Sequence, residues 1–104
     1  MKFEFHPDAL MEYESAIDYH LQISKKLANL FVNEMEDKIN KILQRPKLYP
    51  VLKSNVRRCL FSIFPYGILY SIEEKNPASD SIILIIAIMH CSRKPTYWKN
   101  RIKN

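Results

Sequence analysis

The sequence has little glycine, little cysteine and no long apolar run. Its 104 residues include one glycine, which leaves little material for flexible linkers. Two cysteines, Cys59 and Cys91, are too few for a disulfide framework and lack metal-site spacing, which predicts free thiols in a reducing cytoplasm. The longest apolar run, residues 82–89, is far below the roughly 20 residues of a membrane span, and residues 1–10 lack a secretory signal. We expect one cytoplasmic domain over residues 1–104, with no membrane association, metal or cofactor.

Charge of one sign is missing from whole segments of the chain. Residues 1–37 carry a net charge of −5, whereas residues 38–72 contain seven bases and no acid. The last fifteen residues add five bases and again no acid, and the whole chain has a net charge of +5. The stretch HCSRKPTYWKNR at 90–101 also contains the only tryptophan. This segregation predicts an acidic helical end and a basic remainder that could face an anionic partner, although a merely solvated surface is the alternative.

The first half of the chain predicts a strand followed by two helices. Residues 2–6 alternate phenylalanine with polar residues, as in a short strand. Pro7 suits the first turn of a helix, and apolar residues then recur at three- and four-residue steps to about residue 23. Ser24 is predicted to cap the end of one helix and the start of the next. The second helix should stop before Pro46, which disfavours helical geometry in the residue before it.

The second half predicts three strands. Residues 46–52 form a turn-rich connector, and strands follow at 56–64, 66–73 and 82–89, with a loop at 75–81. The last strand is apolar on both faces, as expected of a central strand that is covered on each side. The order predicts an α+β fold, β-α-α-β-β-β, in which an antiparallel sheet packs against a helical hairpin and a short C-terminal segment follows.

Several short motifs occur in the order and spacing typical of one toxin superfamily. They are Phe5-His-Pro-Asp-Ala9, Leu27-Ala28 with Phe31, Pro46-Lys-Leu-Tyr-Pro50, Val56-Arg57-Arg58, Phe64-Pro-Tyr-Gly-Ile-Leu-Tyr70 and His90-x-x-Arg93-x-Pro95-x-Tyr97-Trp98-x-x-Arg101. Through them the chain resembles the ParE/RelE superfamily of bacterial type II toxins over nearly its whole length. The resemblance implies a growth-inhibiting toxin, of the plasmid-stabilization kind, that a cognate antitoxin wraps and neutralises.

The resemblance leaves the target open. ParE-like toxins are associated with inhibiting DNA gyrase, whereas RelE-like toxins are ribosome-dependent ribonucleases that cut messenger RNA without a metal. A shared fold does not choose between these targets, because function depends on the site. A stand-alone nucleic-acid-binding domain, or a toxin remnant without activity, is a third alternative.

The residues that could carry these functions lie mostly near the C-terminus. A metal-free ribonuclease needs a base, positive charge on the developing phosphorane and an acid, which His90, Arg93 and Tyr97 could supply. Arginine forks can bind a target or phosphate, and aromatic rings can stack on bases. The candidates for such binding are Arg57, Arg58, Tyr66, Trp98 and Arg101. Arg57 and Arg58 are strand neighbours, so they should point to opposite faces, and at most one should line a concave site.

Each of these residues also has a purely structural interpretation. His90 has the strand parity of Ile82, Leu84, Ile86 and Ile88, which is compatible with a hydrogen bond inside the fold. Tyr97 and Trp98 could pin the C-terminal segment to the sheet.

Two features favour the gyrase alternative over the nuclease. RelE-type nucleases that this chain resembles tend to carry a basic residue just after the strand aromatic, where this chain has Gly67. The H-x-x-R-x-P-x-Y-W ending is more similar to the ParE side of the superfamily. The sequence therefore favours a toxin that acts by binding, with an endoribonuclease as the alternative.

Overall fold

A computed structural model describes residues 2–74, 81–94 and 96–102 of the chain. Strand β1 spans Lys2–Phe5, helix α1 Pro7–Ile23 and helix α2 Lys25–Gln44. Strands β2 to β5 span Val51–Lys53, Val56–Leu60, Tyr66–Glu74 and Ser81–His90, and a 3₁₀ helix covers Lys99–Arg101. The predicted α+β fold and its element order are confirmed, with β2 added inside the predicted connector. Residues 75–80 of the predicted loop, and Pro95 of the C-terminal motif, lie outside the described residues.

Local capping explains where the helices begin and end. The His6 ring nitrogen Nδ1 accepts a 3.1 Å hydrogen bond from the Asp8 backbone N–H, and Pro7 occupies the first turn. Ser24 ends α1 with its backbone N–H on the His20 carbonyl, and its Oγ accepts the Leu27 N–H at 3.0 Å to begin α2. The predicted double cap at Ser24 is therefore confirmed. The described residues contain no helix that is long and apolar enough to cross a membrane.

The sheet is mixed, not wholly antiparallel as the sequence predicted. Its strand order is β1-β5-β4-β3-β2. The pairs among β2, β3, β4 and β5 are antiparallel, whereas β1 pairs in parallel with β5. Parallel neighbours need a long crossover between them. The helical hairpin and the three-strand meander together fill that crossover, and so β1 returns beside the last strand.

Both faces of the sheet are covered. On one face the helices pack on the strands around Phe31, Met35, Ile68 and Tyr70. On the other face a smaller cluster surrounds Trp98, whose side chain is fully buried. This second cluster contains Val56, Leu69, Ile86, Ala87 and Met89. Because β5 lies between the two clusters, it is apolar on both faces, as the sequence predicted.

A β-bulge in β5 changes which face its last residues occupy. Leu69 pairs with Ala87 but Tyr70 pairs with Ile85, so Ile86 is an extra residue on β5. Beyond the bulge, Ile88 packs in the helix-side cluster, whereas Ile86 packs with Trp98. The predicted parity of His90 with Ile82, Leu84 and Ile86 is therefore wrong. His90 shares the helix side with Ile88.

Glu34 of α2 ends β3 earlier than the sequence predicted. Its carboxylate accepts backbone N–H bonds from Ser62 at 2.8 Å, Ile63 at 3.0 Å and Phe64 at 3.2 Å. Residues 61–64 therefore turn toward the helix and leave the ladder, and β3 stops at Leu60 and not at residue 64. Since Glu34 is only 8% exposed, these backbone donors are the partners that make its burial tolerable.

Removal of the Glu34 carboxylate should destabilise the fold. We expect Glu34→Ala to lower the free energy of unfolding by roughly 2–4 kcal/mol, because several N–H groups lose a charged acceptor. The matched control is Glu36→Ala, which removes an exposed acid from the same helix and should change stability by less than about 0.5 kcal/mol. Urea denaturation measures both variants. Equal stability of the two variants would contradict the role given to Glu34.

Candidate functional site

Three side chains and one strand N–H meet around the Glu12 carboxylate of α1. The Arg101 guanidinium binds it in a bidentate manner, with Nη1 2.7 Å from Oε1 and Nη2 3.1 Å from Oε2. The Tyr97 hydroxyl donates to Oε2 at 2.7 Å, and the Ile88 backbone N–H donates to Oε1 at 3.1 Å. Arg93 Nη1 lies 3.7 Å from Oε2. We call Glu12, Arg93, Tyr97 and Arg101 the Glu12 cluster.

The Glu12 cluster completes the edge of β5. β1 pairs with β5 only as far as Ile85, whereas β5 continues to His90. Beyond that point Glu12 accepts the Ile88 N–H, and Arg101 Nη1 donates to the Ile86 carbonyl at 3.1 Å. Two side chains thus satisfy the strand edge where the neighbouring backbone ends.

The Tyr97 hydroxyl is hydrogen-bonded to Glu12, and its pKa is raised. Burial, and then the hydrogen bond to the Glu12 carboxylate, raise the pKa of the Tyr97 hydroxyl well above its usual value of 10.0. The Arg93 guanidinium carbon stacks 3.8 Å from the centre of the Tyr97 ring. A catalytic acid works best with a pKa near the operating pH, so the raised pKa does not favour Tyr97 in that role.

His90 makes local contacts at the end of β5. Its Nδ1 accepts the Ser92 backbone N–H at 3.1 Å and lies 2.7 Å from Ser92 Oγ. Its ring meets the Tyr66 ring edge-on, with the centroids 5.0 Å apart. The structural interpretation of His90 is therefore the one that its contacts support, while its half-buried ring still lines the clefts described next.

Two adjoining clefts form a groove between α1 and the ends of β4 and β5. Their volumes are about 540 and 580 Å³, and they share Tyr19, Tyr66, His90 and Arg93. One end of the groove carries the Asp8 and Glu12 carboxylates. The other end is largely apolar and is lined by Ile23, Leu27, Phe64 and Pro65. We call this surface the α1 groove.

Large apolar side chains of α1 border the α1 groove. Met11 is 64% exposed, and Tyr19 and Ile23 are each 60% exposed. Neighbouring exposed apolar side chains of this kind are typical of binding surfaces. The residues of α1 that line the groove recur at three- and four-residue steps from Asp8 through Glu12 to Ile23. The sequence contains this helical spacing. The periodicity of the core-facing residues of α1 is more pronounced, and so the groove-facing residues were not predicted.

The other predicted binding residues are separated by the fold. Arg57 Nη1 donates to the carbonyls of Lys47 at 3.1 Å and Tyr49 at 2.7 Å, so it holds the connector after α2. Arg58 lies on the opposite face of β3, as the sequence predicted from strand alternation. Trp98 is fully buried and packs on the sheet, so its ring is not available to stack on a base.

Gly67 lies under two side chains of β3. A Cβ placed at Gly67 would be 3.2 Å from Leu60 Cδ2 and 3.6 Å from Arg58 Cγ. The position where RelE-type nucleases tend to carry a cation is thus covered here by Leu60 and the stem of Arg58. Across the described ranges, no three His, Cys, Asp or Glu side chains come together as a metal site.

Comparison with known proteins identifies the family. The family model described as "ParE toxin of type II toxin-antitoxin system, parDE" matches residues 3–95. The chain belongs to the ParE toxin family. A chain from the chromosomal ParDE system of P. aeruginosa has the same fold at a TM-score of 0.69 and 16% sequence identity, covering 86% of this chain and 95% of that one. No curated protein matches the sequence.

The Glu12 cluster of this ParE toxin joins residues inside the matched span to residues beyond it. Glu12 and Arg93 lie within residues 3–95, whereas Tyr97 and Arg101 lie after them. The C-terminal segment is thus bound to α1 by charge and by hydrogen bonds.

Tyr70 and Tyr97 predict how stability should vary at alkaline pH. Burial raises the pKa of Tyr70 from 10.0 to about 12, and the pKa of Tyr97 is also raised. Both groups therefore stabilise the fold fully below about pH 10, and this stabilisation is lost as the pH rises toward the folded-state pKa values. We expect Tyr97→Phe to flatten the decline in unfolding free energy between about pH 10 and 12.

The same variant has an effect at neutral pH. Loss of the hydroxyl that donates to Glu12 should cost about 1–2 kcal/mol there. Tyr19→Phe is the matched control. Because Tyr19 is exposed, removal of its hydroxyl should alter neither the stability at neutral pH nor its decline at alkaline pH. Urea denaturation across the pH series measures both, and an unchanged pH profile for Tyr97→Phe would show that Tyr97 ionises freely in the folded protein.

Proposed function

We propose that this ParE toxin inhibits bacterial growth by binding DNA gyrase, without cleaving RNA. Membership of the ParE family supports a toxin of a type II toxin-antitoxin system. The observation that carries the choice of mechanism is the Glu12 cluster, in which two of the three residues considered for RNA cleavage face the same carboxylate. A gyrase-directed toxin would act in the cytoplasm.

The chemistry of the α1 groove argues against phosphoryl transfer. The Tyr97 proton is directed at Glu12, and Arg101 is bound by Glu12, with Asp8 Oδ2 3.7 Å from its Nε. A substrate phosphate that entered beside Arg93 would meet the carboxylates of Asp8 and Glu12 in the same cleft. Preorganised positive charge is the main requirement for stabilising a phosphorane, and here Glu12 already neutralises the charge of Arg101.

The α1 groove also suits the antitoxin that neutralises the toxin. Its exposed apolar strip on α1 fits the apolar face of an amphipathic segment, and Arg93, whose side chain is 53% exposed, offers an anchor for an acidic residue. The P. aeruginosa chain with the same fold comes from a ParDE toxin-antitoxin system. We therefore place a cognate antitoxin in the α1 groove of this protein.

Contacts with gyrase are best sought among the predicted residues that keep free surface. Tyr66 and Arg93 line the α1 groove, and Arg58 lies half-buried on the opposite face of the sheet. Arg57, Trp98 and Arg101 are held by internal contacts and are weaker candidates.

Controlled expression in a sensitive bacterial host tests the proposal. Growth, messenger RNA cleavage and the supercoiling activity of purified gyrase are followed together, with and without the gene encoded beside the toxin. We expect growth arrest, loss of gyrase supercoiling, intact messenger RNA, and rescue by the neighbouring gene product.

The variant Tyr97→Phe distinguishes a binding mechanism from a catalytic one. Tyr97→Phe keeps the ring that stacks on Arg93 and removes only the hydroxyl, so it should remain toxic if the protein acts by binding. Ribosome-dependent cuts that disappear in Tyr97→Phe, with gyrase unaffected, would overturn the proposal in favour of the endoribonuclease alternative.

A further inference from the structure

A small cleft on the Trp98 side of the sheet is lined by donors. It has a volume of about 230 Å³ and is bordered by Lys53, Ser54, Trp98, Lys99 and Ile102. It shares no lining residue with the α1 groove. None of the described residues that line it is acidic, so its polar side chains are two ammonium groups, a hydroxyl and an indole N–H.

Two lysines from distant parts of the sequence converge on this cleft. Lys53 ends β2, and Lys99 begins the 3₁₀ helix near the C-terminus. They are close enough that the Lys99 ammonium lowers the pKa of Lys53. In the described part of the chain neither lysine forms an ion pair. Two adjacent like charges repel, and an anion between them would attract both and offset that repulsion.

Trp98 provides an independent indication of a missing acceptor. Its indole nitrogen Nε1 is buried and has no hydrogen-bond partner among the described residues. Buried donors in folded proteins nearly always have a partner, so an unpaired one requires an explanation. Trp98 lines the same cleft as the two lysines. An oxygen held between the two lysines would supply the acceptor that the indole lacks once the side chains that cover the indole nitrogen move aside.

We propose that this cleft binds a phosphate-type oxyanion. Lys53 and Lys99 would supply the charge, and Ser54 and the Trp98 indole would supply neutral donors. The volume is below the roughly 300–1,000 Å³ of pockets that enclose drug-sized ligands, so only the phosphate group enters. That group is either free inorganic phosphate or part of a nucleic-acid backbone. The site is separate from the α1 groove, and its existence does not depend on the gyrase proposal.

The only tryptophan of the chain makes the site observable. Inorganic phosphate is titrated into the intact protein at constant ionic strength, while the single indole N–H resonance and the tryptophan fluorescence are recorded. We expect a saturable shift of the indole resonance with phosphate and none with chloride. The double variant Lys53→Gln, Lys99→Gln should weaken the affinity at least about tenfold, since it removes both charge-assisted donors.

Controls and a second ligand distinguish the outcomes. Lys26→Gln removes an exposed positive charge from α2 and should leave the affinity unchanged. A short single-stranded oligonucleotide is titrated in parallel. If it binds more tightly than phosphate and loses that advantage in the double variant, the ligand is a backbone phosphodiester. If phosphate binds as tightly, the ligand is the free anion. An indole resonance that neither ligand moves, or an affinity that the double variant leaves unchanged, would overturn the proposal.

Discussion

The Glu12 carboxylate is the constraint on which the end of β5 and the C-terminal segment depend. This one side chain of α1 accepts hydrogen bonds from the Tyr97 hydroxyl, the Arg101 guanidinium and the Ile88 N–H. The two ends of the chain, one acidic and one basic in sequence, are thereby neutralised in space. Two of the five bases in the ending that suggested a nucleic-acid surface, Arg93 and Arg101, are counter-charges of the chain's own first helix.

Glu12 and Glu34 perform the same task at two places between the layers. Each is a mostly buried carboxylate on a helix, and each accepts backbone N–H groups where the sheet has no strand to pair them. A buried carboxylate destabilises the fold unless its oxygens are fully hydrogen-bonded. Loss of one hydrogen-bond partner therefore leaves the charge of the carboxylate partly uncompensated. Apolar packing holds the helices on the sheet, and these two side chains fix the position of the helices relative to the strands. They hold the β5 end and the residue 61–64 turn, and both of these border the α1 groove.

The sequence predicted what is locally determined. Helix bounds followed from apolar period and from capping at Ser24, and the coverage of β5 on both faces followed from its composition. What failed depended on distant residues. The face of His90 was mispredicted because the extra residue Ile86 in β5 shows only in its register with β4. β3 was drawn too long because Glu34 lies about thirty positions earlier in the chain. The site shows the same division: the sequence named Arg93 and Tyr97 as catalytic candidates and Arg101 as a binding candidate, but Glu12, which contacts all three, is more than eighty residues away.

The measurement that tests this account most directly is a double-mutant cycle between Glu12 and Arg101. The unfolding free energies of Glu12→Gln, Arg101→Gln and the double variant are compared with the wild type by urea denaturation. The account predicts a coupling energy of about 1–3 kcal/mol for this half-buried bidentate pair. The same cycle with the exposed Glu14 of α1 should give a coupling near zero. A Glu12–Arg101 coupling that is also near zero would mean that the basic C-terminal segment is not held by Glu12, and that Arg93, Tyr97 and Arg101 are free to serve a substrate.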